Sequence, residues 1–240
     1  MKKFLLISTA VAALASGAQA ADLGVPRAPV AAAVVAPVFS WTGFYIGLNA
    51  GYGWGSYTQF SPLGLGPGVS PKGFVGGGQI GYNHQINNLV LGLEADIQSG
   101  PRGQTAQGTI GPFWSCITGP CVVNVNWFGT VRARAGVAVD RALIYATGGL
   151  AYGGFSGGIP NSPQAGSSTK VGYSLGAGVE YAFTPNVTAK LEYLYTNLGT
   201  ADFGTDGAGN RYSARGNFHT VRVGLNYLFS TGPSAVVARY

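Results

Sequence analysis

The stretch that decides the fold is Asn217-Phe218-His219-Thr220-Val221-Arg222-Val223-Gly224-Leu225-Asn226-Tyr227-Leu228-Phe229. Successive side chains of a strand point to opposite faces. Val221, Val223, Leu225, Tyr227 and Phe229 therefore share one face, while Thr220, Arg222, Gly224 and Asn226 share the other. One side is continuously apolar and the other is polar with a full charge. A strand with lipid on its outside and a polar interior needs this pattern.

Seven earlier segments fit the same template, each near the roughly 9–11 residues a tilted membrane strand requires. The first, about Gly43 to Trp54, lines up Phe44, Ile46, Leu48, Ala50, Tyr52 and Trp54. The second, about Gly73 to Asn83, sets Phe74, Ile80 and Tyr82 against Gln79 and Asn83. The third, about Leu89 to Gln98, sets Leu89, Leu91, Leu93, Ala95 and Ile97 against Glu94, Asp96 and Gln98. The fourth, about Val123 to Val139, sets Val125, Trp127, Val131, Ala133 and Val137 against Asn124, Asn126, Thr130, Arg132 and Arg134. In the fifth, about Ala142 to Gly153, both faces are apolar or small; Ile144, Leu150 and Tyr152 are read as outward, with Tyr145 and Thr147 inward. The sixth, about Val171 to Phe183, carries Tyr173, Leu175 and Tyr181 opposite Ser174 and Glu180. The seventh, about Val187 to Leu198, carries Leu191, Tyr193 and Tyr195 opposite Thr188, Lys190 and Glu192.

The connections alternate strictly. Gln85 to Asn88, Asp140-Arg141 and Thr184 to Asn186 are short and polar, whereas 55–72, 99–122, 154–170 and 199–216 are long and rich in Gly, Ser and Pro. Short periplasmic turns and long extracellular loops have this arrangement, and an even strand number is the rule for single-chain bacterial barrels. The expected fold is all-β, an eight-stranded antiparallel up-and-down transmembrane barrel spanning 41–229.

Composition agrees. Charged residues are 9% of the chain against about 25% in soluble domains, and there are 40 glycines in 240 residues. Lys2 and Lys3, an apolar Phe4 to Leu14 and the small-x-small Ala18-Gln19-Ala20 read as a secretory signal cleaved after Ala20. Residues 21–40, with Pro26, Pro29 and Pro37, read as an extended periplasmic linker, and 230–240 as a tail. Without the signal the net charge falls from +6 to about +4, too modest to argue for nucleic acid as a partner.

Eight charges fall inside strand segments: Glu94, Asp96, Arg132, Arg134, Glu180, Lys190, Glu192 and Arg222. Each lies opposite the apolar stripe of its own strand. A basic residue facing lipid at mid-membrane costs roughly 2–4 kcal/mol, so the inward phase is imposed on the set. Four acids balance four bases, and an eight-stranded barrel is just wide enough to be filled by side chains. Counting residues from the short turns sets Glu94 beside Arg134, Asp96 beside Arg132, Glu180 near Lys190 and Glu192 beside Arg222. The expected lumen is a packed belt of charge pairs; an ion or solute path is the alternative.

Aromatic residues band at two levels. Trp54, Phe74, Trp127, Tyr152, Tyr173 and Tyr195 lie toward the long loops, and Phe44, Tyr82, Tyr181, Phe183, Tyr227 and Phe229 toward the short turns. Two such girdles mark two membrane interfaces.

Chemistry-bearing constellations are few. Cys116 and Cys121 share one long loop, and outside the cytosol this favours a local disulfide over free thiols. No histidine or acid nearby completes a metal site. His84 and His219 are the only histidines and fall at opposite ends of the strands. His219 with Ser213 and Asp202 or Asp206 supplies triad residue types, but a triad is defined by geometry and these types are common in polar loops. Gly76-Gly77-Gly78 lacks a phosphate-loop context. No enzyme activity, cofactor or metal is expected.

The motifs WTGFYIGLNAGYGW at 41–54, GGGQIGY at 76–82, LGLEAD at 91–96, WFGTVRAR at 127–134 and VRVGLNYLF at 221–229 resemble the small alphaproteobacterial outer-membrane barrels of the RopB type, often called outer-membrane immunogenic or porin-family proteins. The resemblance implies an outer-membrane location and an architecture like the transmembrane part of outer-membrane protein A. It implies a role in envelope integrity with surface-exposed loops; some relatives are reported as haem binders, and no shared catalytic residues carry over. Implied partners are outer-membrane lipid, the barrel assembly machinery and extracellular ligands met by the loops. A small pore or transport protein and a surface haem or ligand binder are the alternative functions. Such barrels usually end on the terminal aromatic that the assembly machinery reads, whereas here Ser230 to Tyr240 follow Phe229. The expectation is that the tail hangs in the periplasm and Phe229 acts from an internal position; the alternative is that Tyr240 supplies the terminal aromatic.

Overall fold

The computed structural model describes residues 39–61, 64–104, 120, 122–158, 166–205 and 211–230. The strands are β1 (Gly43–Ser61), β2 (Gly64–Val69), β3 (Lys72–Ile86), β4 (Leu89–Ser99), β5 (Arg102–Gln104), β6 (Val122–Val139), β7 (Ala142–Gly158), β8 (Gly166–Ala182), β9 (Val187–Thr205) and β10 (Arg211–Ser230). Eight of them form a closed antiparallel ring in the order β1, β3, β4, β6, β7, β8, β9, β10. The seam is β1 against β10, running from Gly43 opposite Ser230 to Phe60 opposite Ser213. Closure leaves these eight strands without a free edge across the membrane, as lipid demands of a spanning sheet.

The long connections contain more strand than the amphipathic pattern marks. β1 and β7–β10 continue well past the lipid-facing stripe, and two short strands, β2 and β5, belong to the loop side of the ring. Beyond the lipid the outer face is no longer held apolar, so the two-fold hydropathy signal fades while the backbone ladder continues. β5 resumes β4 beyond Gly100-Pro101 and pairs with both β3 and β6; a proline lacks the N–H that an unbroken ladder needs.

The short turns tighten to Asn87-Asn88 and Asp140-Arg141. Asn87 and Asp140 have φ of +54° and +52°, a conformation that Asn and Asp tolerate better than other side-chain-bearing residues.

Alternation is regular through the membrane. Phe74 is 86% exposed and Leu48 73%, whereas Arg222 is fully buried. In β7, Ile144 and Leu150 face outward and Tyr145 inward. One expected phase is corrected: Val125 is buried and points into the barrel. A bulge lies between Val125, opposite Phe155, and Trp127, opposite Gly154. The extra residue Asn126 resets the alternation there and is itself exposed.

Candidate functional site

The interior is stacked in three layers. Toward the turn end, Trp41, Val90, Ala138, Leu143, Tyr145 and Ala182 form a buried apolar cluster with Phe39 packed against it. Phe39, the penultimate residue of the expected linker, thus belongs to the barrel end and sits edge-on to Trp41 at 5.0 Å between ring centroids. The Trp41 backbone N–H donates to Gln85 Oε1 at 2.8 Å, and the Gln85 N–H donates to Thr42 Oγ1 at 3.0 Å. Toward the loop end, Tyr57, Val75, Val125, Phe128, Ala151, Leu198 and Phe218 form a second cluster, with Phe128 and Phe218 meeting edge to face at 4.8 Å.

Between these plugs lie all eight charged residues of the strand segments, each buried. Glu94 is the hub. Its Oε1 accepts from Arg132 Nη2 at 2.6 Å, and its Oε2 accepts from Lys190 Nζ at 2.6 Å and the Tyr45 hydroxyl at 2.8 Å. Asp96 Oδ2 takes Arg132 Nη2 at 3.0 Å, Arg222 Nη2 at 2.9 Å and the Thr130 hydroxyl at 2.8 Å. Glu192 takes Arg222 Nε at 2.7 Å and the Tyr145 hydroxyl at 3.0 Å. Glu180 takes Arg134 Nη2 at 2.6 Å, Asn226 Nδ2 at 2.8 Å and the Thr188 hydroxyl. The Arg134 guanidinium also lies 4.0 Å from the Tyr145 ring centroid, within cation–π range. Every carboxylate thus meets at least one cation and one neutral donor, which buried charges require.

The expected alignment of β4 with β6 is corrected, although the ion pairs read from it do form, Asp96 with Arg132 at 3.0 Å and Glu94 with Arg134 at 3.7 Å. Glu94 faces Arg132, not Arg134, across β4 and β6, and Asp96 faces Thr130. Leu89 opposes Val137, so the strands are offset by two residues from equal counts at their turn ends; barrel closure forces such a stagger. The shorter ion pair of Arg134 is with Glu180, at 2.6 Å. Lys190 opposes Glu180 in the ladder, as expected, and its ammonium crosses to Glu94. Glu192 and Arg222 are direct neighbours and ion-paired at 2.6 Å.

Tyr45, Trp41, Tyr57, Phe128 and Phe218 are interior aromatics that the apolar stripe does not mark. Their signal is phase: each is a large aromatic lying out of step with the lipid stripe, as Tyr45 does between Phe44 and Ile46.

On the outside, Phe44 packs on Tyr82 at 4.7 Å and Tyr227 on Phe229 at 5.0 Å, near the turns, with Tyr181 on Phe183 at 5.1 Å. Nearer the loops, Tyr52 meets Phe74, Trp127 meets Tyr152 and Tyr173 meets Tyr195. Trp54 stacks on His219 at 5.9 Å. His219 Nδ1 is hydrogen-bonded to the Tyr193 hydroxyl at 2.7 Å. Ser213 opposes Asp202 but is six residues from His219 along β10, about 20 Å of strand; the three do not converge. Asp206, Cys116 and Cys121 lie outside the described residues.

A sealed ring of antiparallel strands, apolar outside and charged within, with aromatic girdles and one end of short turns, defines an outer-membrane β-barrel. The chain belongs to that family: the model described as outer membrane protein beta-barrel domain matches residues 6–229. It is 44% identical over 248 residues to the 31 kDa outer-membrane immunogenic protein of Brucella melitensis, covering 95% of this chain and all of that one. It is 34% identical to the 22 kDa outer membrane protein of Rhizobium leguminosarum bv. viciae, covering 82% of each. The outer membrane protein OprG of Pseudomonas aeruginosa shares the fold at 10% identity and a TM-score of 0.52, with 80% of this chain and all of that one covered. The protein resides in the outer membrane of a Gram-negative cell.

Proposed function

We propose that this protein is a non-enzymatic, electrically closed structural barrel that supports envelope integrity and presents its long loops to the outside. The observation that carries the reading is the three-layer interior, in which a neutral belt of four acids and four bases is stoppered by apolar clusters on both sides. An ion crossing it would have to displace side chains already paired with one another, in a lumen too narrow for a water column beside them. The relatives' description as immunogenic outer-membrane proteins supports loops that are reached from outside.

Planar-bilayer recording on the purified protein tests this. Electrical silence is expected. A sustained, sized conductance that Glu94→Gln or Arg222→Gln abolishes would replace the closed barrel with a pore.

A further inference from the structure

The outer rim carries a feature the closed lumen does not use. Along one hydrogen-bonding row of the ring, Arg102 opposes Lys72, Lys72 opposes Trp54, Trp54 opposes His219 and His219 opposes Tyr195. Residues directly opposed in an antiparallel ladder share a face, and in this row it is the outward one: Arg102, Lys72 and Trp54 are all exposed. The neighbouring row toward the membrane centre is Phe74, Tyr52, Val221 and Tyr193. The basic row thus begins where the lipid-facing surface ends.

Two like charges placed directly opposite each other on a ladder repel. Inside this barrel every cation has a carboxylate, but Lys72 and Arg102 form no ion pair among the described residues. Their juxtaposition becomes favourable when an anion lies between them, because a phosphate accepts charge-assisted hydrogen bonds from a guanidinium and an ammonium at once. Trp54 and His219 extend the row with flat faces, stacked within 18° of parallel. Flat aromatic surfaces at an interface suit the non-polar face of a sugar ring and the top of an acyl chain.

We propose that Lys72 and Arg102, flanked by Trp54 and His219, form a site on the outer rim for the phosphorylated headgroup of an outer-leaflet glycolipid. The cations hold the phosphate, the aromatic pair lies under the sugar, and the apolar row below receives the acyl chains. The site stands apart from the lumen and does not depend on whether the barrel conducts.

The test is glycolipid retention by the full chain in phosphatidylcholine nanodiscs, read by native mass spectrometry. The probes are bis-phosphorylated lipid A and the same glycolipid with its phosphates removed. Wild type should retain the phosphorylated form preferentially. Lys72→Gln and Arg102→Gln should each lower that retention about tenfold, the loss expected for one charge-assisted hydrogen bond, and the double variant should retain the two forms equally. Lys72→Arg should keep the preference. Both positions are exposed, and heat-modifiable gel mobility reports that each variant is folded. Equal retention of the two glycolipids by wild type, or an undiminished preference in the double variant, overturns the site. Displacement of the glycolipid by inorganic phosphate at matched phosphate concentration overturns it too, in favour of a free-anion site.

Discussion

A Cβ built on Gly81 would lie 2.4 Å from the phenol oxygen of Tyr45, its direct partner across β1 and β3. It would also lie 2.7 Å from the Leu93 carbonyl oxygen on the other side. Tyr45 can reach Glu94 only because nothing projects from position 81. Gly178 stands in the same relation to Tyr145, with a Cβ-to-phenol-oxygen separation of 2.7 Å. The glycines of the inner wall are thus part of the charge belt, since they let two tyrosines lie flat and hydrogen-bond its acids.

Gly81→Ala should destabilise the barrel by roughly 1–3 kcal/mol, the usual cost of overpacking, because the Leu93 carbonyl cannot yield without disturbing the ladder. Gly78→Ala is the control: its added Cβ meets nothing nearer than a backbone oxygen at 3.8 Å and should be close to neutral. Urea unfolding midpoints in lipid micelles compare the two, and equal losses would sink the argument.

Removing Arg222 leaves Asp96 and Glu192 short of a cation. Arg222→Met should cost roughly 3–5 kcal/mol, as breaking a buried ion pair from one side does. Adding Glu192→Leu should cost less than the sum of the two single changes, because the stranded charge disappears with its partner. A double-mutant cycle on unfolding free energies measures this; simple additivity would show that the two residues are not energetically coupled.

Trp41 closes the turn end from a position just before β1 and is 1% exposed. Trp41→Ala should lose about 3–5 kcal/mol. The loss is read as a lower temperature for conversion from folded to unfolded mobility on gels. An unchanged transition would mean the tryptophan is dispensable to the plug.

Deleting Asn126 should be tolerated to within about 1 kcal/mol, since the residue is the surplus member of a bulge and its deletion leaves Val125 inward. Deleting Gly149, which is fully in register opposite Arg132, should prevent folding, because every side chain beyond it changes face. Refolding yield into micelles distinguishes the two deletions.

Most of the fold is legible in the sequence because lipid penalises a misplaced charge so heavily. Arg222 among Val221 and Val223 sets the phase of β10 by itself, and the same reasoning orients β4, β6, β8 and β9. Glu180 opposite Lys190 follows from the short turn at 183–186, and counting from the turn ends also sets Glu192 opposite Arg222, whereas across the long connection between β4 and β6 the two-residue stagger leaves no local trace. The bulge is equally silent, since Asn126 suits an inward position or a surplus one. Of the site, its membership was readable and its partnerships only in part: Glu192 with Arg222 was, the reach of Lys190 to Glu94 was not. Side chains of this length cross a narrow lumen, so Lys190 finds Glu94, 96 residues away in sequence, past its ladder neighbour.

The placement of Arg222 on the final strand has a consequence for how the molecule comes together. Arg222 meets Glu94 from 128 residues away, and β10 is also the strand that seals the ring against β1. Before β10 docks, the interior holds four acids and only three bases, and the first strand has an open edge. Neutralisation of the core and sealing of the seam are therefore one event, reserved for the strand that comes last in the ring. A chain of such long-range contacts gains little from partial assembly, so a truncated copy is left with an unbalanced charge in the place where lipid is least forgiving.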